Sequence, residues 1–159
     1  MNDCIKEYNS NLKKGHIQKA YKSIMTFMLE AKFNLVKKYP DYKISSLYFG
    51  YMDMTYFAFT PIELKSNYLK IAIVYLHVEN RFEVWLSGVN KKVQDNYIEK
   101  LKEKNIGKYK LSKSDPGIDS IIEYIIIDNP DFDNKNELKN SIEEKTIEFI
   151  KDIIMILNK

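Results

Sequence analysis

The chain has 159 residues, of which 45% are apolar and 30% are charged, and its net charge is only +3. A chain of this size and composition buries enough surface to fold as one domain, which excludes wholesale disorder. The longest apolar run, residues 71–76, excludes a membrane-spanning helix, and the single cysteine, Cys4, excludes an internal disulfide. Because the N-terminus also lacks the apolar stretch of a signal peptide, we expect one cytoplasmic domain over residues 1–159.

Two helices are predicted at the start of the chain. The first covers residues 3–13 and ends at Gly15, since glycine is a common helix terminator. The second covers residues 16–38 and ends before Pro40, since the residue preceding a proline disfavours helix. Its apolar residues form a stripe at helical spacing, widened by four more side chains, so we expect it to be covered on more than one side. These four are Met25, Leu29, Phe33 and Val36.

The next segment, residues 47–59, has the pattern of a strand with two apolar faces, which is typical of a central strand covered on both sides. Gly50 within it predicts a bulge or a close approach of another backbone segment. Asp53 lies among these aromatic residues and is expected to be buried, so that it must be paired or have its pKa raised. We expect a tyrosine hydroxyl or a cation to pair with it, with Arg81 as the obvious candidate, and a catalytic role for the carboxylate is the alternative.

A short helical turn is predicted after this strand. Thr60-Pro61-Ile62-Glu63 has threonine as N-cap, proline at the first helical position and the glutamate of a capping box. Glu63 and Lys65 also have the acid-x-Lys spacing of metal-dependent nucleases. Those enzymes place this motif on strands, so the helical interpretation is favoured.

Two β-rich runs, residues 70–78 and 81–88, flank Glu79-Asn80 and predict a hairpin with a two-residue loop. In this register Val78 lies opposite Arg81. Strand alternation assigns the side chains to two faces. One face carries Ile71, Ile73, Tyr75, His77, Phe82, Val84 and Leu86. The other carries Ala72, Val74, Leu76, Val78, Arg81, Glu83 and Trp85.

The rest of the chain predicts a helix, two strands and a final helix. The helix covers residues 90–104 with Asn90 as N-cap. A short edge strand over residues 109–111 and a strand over 121–127 follow, and the last helix covers 134–157. With a single helix between strands, we expect an α+β fold, in which an antiparallel sheet of about four strands packs against helices from both termini.

The charges are distributed unevenly along the chain. Residues 1–114 carry a net charge of +9 and residues 115–159 carry −6, so the two halves are expected to attract within one fold or to pair between subunits of a homo-oligomer. A basic face for anions is the functional alternative. The chain also has 24 lysines but only one arginine, Arg81. Lysine does not replace arginine where a planar, bidentate cation is required, so Arg81 is a candidate for such a role.

Arg81, Glu83 and Trp85 alternate along one strand and therefore share a face. The only arginine and the only tryptophan flank a carboxylate, which predicts a ladder of ion-pair and cation–π contacts. The face continues toward Lys91 and Lys92 at a helix N-terminus, where an anion can be received. The alternative is a rigid ladder with a purely structural role.

Catalytic and metal-binding patterns are weak in this sequence. His16 begins a helix and His77 is expected to pack beside aromatic residues at a strand end, and neither has a nucleophile at recognisable spacing. Residues 131–134 are rich in acids but lack the glycine and distal glutamate of a calcium loop. No Cys–Cys or His–His pair has the spacing of metal ligands, and no glycine-rich phosphate loop is present. We therefore expect neither a metal nor another cofactor.

The segment 91–113 carries eight lysines interleaved with Tyr97 and Tyr109. Such a pattern is a weak indication of nucleic-acid binding, and a solvated helix face explains it equally well. The small net charge of the chain favours the second explanation.

Three stretches of the sequence resemble a family of small bacterial proteins of unknown function, found mainly in low-GC Gram-positive bacteria. They lie around residues 15–22, 50–57 and 82–88. The resemblance extends over nearly the whole chain, including residues 93–94 and 120–123. It implies a cytoplasmic domain that stands alone, and it implies no particular activity.

These observations favour a non-enzymatic binding or interaction module for a small anionic ligand or a protein partner. The ligand-binding candidates are Arg81, Glu83, Trp85, Lys91, Lys92, Asp53 and His77. One alternative is a small enzyme with Asp53 or Glu83 as general base in a pocket lined by Tyr51, Tyr56 and Trp85. The other is weak association with nucleic acid through the lysines of residues 91–113.

Overall fold

The computed structural model describes residues 1–159 as five helices and one five-stranded sheet. The helices are α1 (Asn2–Lys13), α2 (His16–Lys38), α3 (Ile62–Ser66), α4 (Lys91–Lys102) and α5 (Lys135–Leu157). The strands are β1 (Lys43–Ile44), β2 (Met54–Thr60), β3 (Leu69–Leu76), β4 (Arg81–Gly88) and β5 (Ile122–Asp128). No helix combines the length and the apolar character needed to cross a bilayer.

The strands lie in the sheet in their chain order, and every neighbouring pair is antiparallel. Such a meander needs no crossover, because the connection between β4 and β5, which contains α4, returns to the adjacent position in the sheet. The predicted α+β class is confirmed. The sheet has five strands rather than about four, because the two-residue strand β1 adds an edge to β2.

The long helices α2 and α5 cover one face of the sheet and form the hydrophobic core with it. Phe27 of α2 packs 5.8 Å from Phe82 of β4, and Phe149 of α5 stacks 6.2 Å from Tyr124 of β5, measured between ring centroids. The apolar face predicted for the β3–β4 hairpin provides much of this core. All its residues except the half-buried His77 are at most 4% exposed: Ile71, Ile73, Tyr75, Phe82, Val84 and Leu86. The opposite face of the sheet has no long helix packed on it.

The oppositely charged halves of the chain meet within this fold. Lys38 at the end of α2 lies 2.7 Å from Glu143 of α5, and Lys139 of α5 lies 3.1 Å from Glu30 of α2. Tyr39 adds a hydrogen bond of 3.0 Å to the Glu143 carboxylate, and its burial together with this contact raises the pKa of Tyr39 to about 12. These contacts tie the two covering helices together at their solvent side.

The strand predicted over residues 47–59 is wrong in its first half. The chain turns at Gly50 (φ +74°) and Met52 (φ +62°), and the strand begins only at Met54. The segment before the turn folds back, since Tyr48 and Tyr56 exchange backbone hydrogen bonds of 2.8 and 3.0 Å. A Cβ at position 50 would lie 1.9 Å from the carbonyl oxygen of Met54, so the predicted close backbone approach at Gly50 is confirmed.

The β3–β4 hairpin exists, but its predicted register is wrong by two residues. Leu76 rather than Val78 lies opposite Arg81, so the loop comprises four residues, 77–80, and Asn80 within it has φ +49°. A shift of two residues leaves every side chain on its predicted face, because strand side chains alternate with a period of two. The division into an apolar and a polar face therefore survives the error.

The expectation that α2 is covered on more than one side is wrong for three of the four widening residues. Leu29, Phe33 and Val36 are 46%, 57% and 43% exposed, whereas Met25 is buried. Periodicity identifies the apolar positions of a helix, but an apolar residue is also common on a protein surface. Only the packing partners decide between the two locations.

The predicted helix caps have mixed outcomes. The Asn90 side chain accepts a hydrogen bond of 2.9 Å from the Val93 N–H, as expected for the N-cap of α4. The capping box at α3 is wrong, because Thr60 belongs to β2 and its hydroxyl accepts from the backbone N–H of Ile71 at 3.1 Å. Glu63 and Lys65 lie in the helical turn α3, whereas the nuclease motif would require them on a strand.

Candidate ligand-binding groove

A groove of about 930 Å³ lies on the sheet face that the long helices leave uncovered. We call it the sheet groove. Its floor is formed by alternating side chains of three adjacent strands, which share a face because of the strand period. The floor residues used below are Tyr56 and Ala58 of β2, Ala72 and Val74 of β3, and Trp85 of β4.

Small side chains create the depth of the sheet groove. Ala72 lies opposite Ala58 on one side and opposite Trp85 on the other, so two methyl groups stand beside one indole ring. Tyr48 and Tyr56 pack with their ring centroids 4.9 Å apart and line the groove near β2. Aromatic side chains next to a floor of small alanine side chains offer a binding site for a flat chemical group.

Arg81, Glu83 and Trp85 form a ladder along one face as predicted, but an ion pair and an indole hydrogen bond build it and the predicted cation–π contact is wrong. Nε of Arg81 donates to Glu83 Oε1 at 2.7 Å, and a terminal guanidinium nitrogen forms an ion pair with the same oxygen at 2.6 Å. The indole Nε1–H of Trp85 donates to Glu83 Oε2 at 2.6 Å. Both carboxylate oxygens are therefore occupied, and the indole ring is held by its polar edge.

Glu83 is the buried centre of this ladder, with only 2% of its surface exposed. It lies at the irregularity in the β4–β5 pairing between Phe82 and Glu83. A bulge of this kind redirects the side chains next to it. The carboxylate lies beside Trp85 along β4 and fixes its orientation through the hydrogen bond, and neither Glu83 nor Arg81 lines the sheet groove.

Four lysines from four different elements line the sheet groove: Lys43 of β1, Lys65 of α3, Lys70 of β3 and Lys91 of α4. Lys70 lies opposite Ser87, one step along the same face from Ala72 and Trp85. Lys43, Lys65 and Lys70 make no ion pair, whereas Lys91 lies 3.2 Å from Asp95. With Asp53 and Asp119 as the two lining acids, the groove has a net charge of +2.

The structure brings together only part of the predicted site. Trp85, Lys91 and Asp53 line the sheet groove, and Arg81 and Glu83 lie next to Trp85 along β4 without lining it. Lys92 and His77 do not line it. Sequence reasoning missed Lys43, Lys65 and Lys70. Lys70 lies two residues before Ala72 and four before Val74, so strand alternation places all three on one face and could have identified Lys70. The sequence contains no comparable signal for Lys43 and Lys65.

The predicted burial of Asp53 and its pairing with Arg81 are wrong. Asp53 is exposed because it follows the turn at Gly50, and its carboxylate accepts the backbone N–H of Tyr51 at 2.8 Å. This hydrogen bond, with a second from the backbone of Met54, lowers the pKa of Asp53 below its ordinary value. A more acidic carboxylate is a weaker base. Tyr51, predicted to line a pocket beside it, is 90% exposed.

His77 connects the hairpin loop to two other parts of the fold. The Thr55 hydroxyl donates to the carbonyl of Phe49 at 2.7 Å, so its oxygen accepts from His77 Nε2–H at 2.9 Å. The imidazole also stacks 6.0 Å from Tyr21 of α2 and contacts Tyr75 edge-on at 5.0 Å. His77 packs beside aromatic residues, as predicted. Its contact with Thr55, whose hydroxyl is bonded to Phe49, holds the turn that precedes β2 in place.

We expect the protein to lose stability as the pH falls from about 7.5 to about 5, because partial burial lowers the pKa of His77 below 6.5 and Asp53 only partly opposes this effect. The folded state then binds fewer protons than the unfolded state. The stabilisation is complete above the unfolded pKa and is lost as the pH falls through the lower folded pKa.

Thermal midpoints at both pH values should differ less in His77→Gln than in the wild type. His16→Gln, which changes an exposed histidine, is the matched control, and an unchanged difference in His77→Gln would contradict this assignment.

Four of the eight lysines of residues 91–113 make contacts within the fold. Lys91, Lys102 and Lys108 form ion pairs with acidic side chains. Lys104 donates to the last two carbonyls of α5, both at 3.2 Å, which satisfies groups that a helix end leaves unpaired. These contacts account for half of the lysines that gave the weak nucleic-acid pattern. No three side chains of histidine, cysteine, aspartate or glutamate converge as metal ligands would.

A family model described as Domain of unknown function (DUF7000) matches residues 1–157. The chain therefore belongs to this family, and its resemblance to a family of unknown function is confirmed. No curated protein and no solved structure matches the chain. The site itself must therefore provide the basis for a functional assignment.

Proposed function

We propose that this protein is a non-enzymatic binding module of the bacterial cytoplasm and that it holds a small anionic ligand in the sheet groove. The observation that carries this proposal is a fixed indole ring beside a floor of two alanines, in a groove with a net positive charge. The volume of about 930 Å³ is within the range of sites for small molecules. The only cysteine, Cys4, is free and exposed, which suits a reducing compartment.

The ladder of Arg81, Glu83 and Trp85 supports a binding role because it fixes the indole ring in advance. An aromatic side chain that is free to rotate loses conformational entropy when a ligand immobilises it. The hydrogen bond from Trp85 to Glu83 fixes the ring before any ligand arrives, and the guanidinium of Arg81 holds Glu83 in turn. The ladder thus has a structural role of its own and also prepares the groove for binding.

The enzymatic alternative receives less support from the geometry. Both oxygens of Glu83 already accept hydrogen bonds from Arg81 and Trp85, so this carboxylate is not free to remove a proton from a substrate. Asp53 lies at the groove but has a lowered pKa. A protein segment remains the other occupant to test, since the groove is open along one side of the sheet.

Filling the groove should abolish ligand binding. Trp85 is the only tryptophan, so its fluorescence reports directly on the groove when a panel of small carboxylates, sulfonates and phosphates is titrated. Ala72→Leu places three extra carbon atoms beside the indole, and we expect an affinity loss of at least about tenfold for any compound that alters the wild-type emission. The new side chain points into open space, so the thermal midpoint should change little.

The matched control is Val78→Leu, which also places a leucine on the β3–β4 hairpin but at a loop position that is 85% exposed and outside the groove. It should bind like the wild type. Equal affinities for Ala72→Leu and the wild type would show that the compound binds elsewhere. A wild-type emission unchanged across the whole panel but altered by a peptide would move the assignment to a protein partner.

A further inference from the structure

We infer that the ligand has two parts, an apolar planar ring that lies on Trp85 and a phosphate group that is bound by Lys43, Lys65 and Lys70. This inference rests on the proposed function of the sheet groove and specifies the chemical class of its ligand. The class is a phosphate ester of an aromatic alcohol. Three features of the groove support it: cations without ion pairs, the strand spacing between Lys70 and the ring, and the apolar side chains on the β3 side of the ring.

The cations are placed by the fold and have no partners within it. Lys43 begins β1, Lys65 lies in the α3 turn and Lys70 is near the start of β3, and none of them makes an ion pair. Six other lysines, among them Lys38 and Lys108, do form ion pairs with a nearby carboxylate. Like charges that line one groove and form no ion pair favour an anion from outside, and a phosphate brings nearly two charges.

Strand geometry sets the distance between the two subsites. Lys70 and Ser87 form one cross-strand pair, and Ala72 and Trp85 form the next pair on the same face. Two residues along an antiparallel strand correspond to about 7 Å. A phosphate that is joined to a ring directly or through a short linker spans this distance. Long, flexible linkers are not needed.

The ring subsite favours an apolar ring over one with polar edges. The indole N–H of Trp85 is already donated to Glu83, so it offers no hydrogen bond to a ligand. On the β3 side of the ring, the floor residues Ala58, Ala72 and Val74 have no polar side-chain atoms, whereas Glu123 lies opposite Trp85 on the β5 side and does not line the groove. A ring with several donors and acceptors would lose bonds to water here without replacement, at a cost that an apolar ring avoids. Naphthyl or phenyl groups therefore fit this position better than nucleobases.

Calorimetric titration with 1-naphthyl phosphate, 1-naphthol and inorganic phosphate tests the two-part ligand. We expect the ester to bind at least about tenfold more tightly than either fragment, because each charge-assisted hydrogen bond adds to the stacking contact. Lys70→Met keeps the aliphatic stem but removes the charge. It should weaken the ester about tenfold and leave the affinity for 1-naphthol unchanged.

Lys22→Met is the matched control, because Lys22 is an exposed lysine of α2, on the other side of the sheet, and makes no ion pair. It should bind the ester like the wild type. If Lys70→Met and Lys22→Met bind the ester equally while Ala72→Leu abolishes binding, the phosphate subsite is disproved and the sheet groove stands as a binding site. The inference of a two-part ligand is wrong if Ala72→Leu also binds the ester like the wild type. It is equally wrong if the ester does not bind the wild type while other compounds of the panel do. Normal binding by Ala72→Leu of every compound that binds the wild type overturns the groove itself.

Discussion

Glu83→Ala is expected to lower the free energy of unfolding by about 3 kcal/mol, because it leaves a largely buried cation without its counter-charge. The guanidinium of Arg81 loses both of its contacts to Oε1, and the indole N–H of Trp85 loses its acceptor. Arg81 remains 31% exposed, so water relieves part of this cost and the effect should fall at the low end of the range for buried ion pairs. Urea unfolding at neutral pH measures it.

The double variant Arg81→Met/Glu83→Leu separates the loss of a partner from the value of the pair itself. Replacing both charges with apolar groups removes the unpaired cation, so most of the stability lost in Glu83→Ala should return. The fluorescence of Trp85 should still differ from the wild type, because the indole has lost its acceptor. A double variant as unstable as Glu83→Ala would contradict the role assigned to the ladder.

Phe82→Ala should be the most destabilising simple truncation in the core, with a loss of about 4 kcal/mol in the free energy of unfolding. Phe82 is fully buried and has Phe27, Tyr75 and Phe132 within 6.1 Å between ring centroids. These rings come from α2, β3 and the segment before α5, so a cavity here separates three parts of the fold. The surrounding aromatic side chains are too rigid to close it.

Phe33→Ala provides the matched control, since Phe33 is also a phenylalanine in the amphipathic pattern but is 57% exposed on α2. Its only notable contact is with the Lys37 ammonium, 4.4 Å from the ring centroid. Truncation there should cost about 0.5 kcal/mol or less, as is usual for surface positions. Chemical denaturation of both variants gives the comparison, and similar losses would show that Phe33 is covered in the native protein.

The local features of this chain follow from neighbouring residues. Three of these features were predictable: the bounds of α2, the Asn90 cap and the two faces of the β3–β4 hairpin. The helical period of 3.6 residues, the strand period of two and the capping preferences all depend on residues that are close in sequence. The ladder of Arg81, Glu83 and Trp85 was predictable for the same reason. Alternation along one strand places three side chains on a face whatever the rest of the chain does.

Errors occurred where two patterns have the same local signature. The largely apolar and aromatic residues of segment 47–59 fit both a continuous strand and a strand preceded by a folded-back turn, and only the pairing of Tyr48 with Tyr56 distinguishes the two. Asp53 was placed in the interior as a direct result of that error. The hairpin register depended on a loop of two or four residues, and alternation cannot tell these apart because both preserve the faces.

The sequence by itself determined the class of fold, the long helices and the polar face of the central hairpin, because short-range periodicity and capping encode them. Only the tertiary structure decided that this face remains open and that it carries a groove. The lysines at residues 43, 65 and 70 come from three elements, and their convergence depends on the antiparallel order of the sheet. Packing also left Phe33 in solvent and Phe82 in the core, since burial is set by what lies opposite a residue and not by the residue alone.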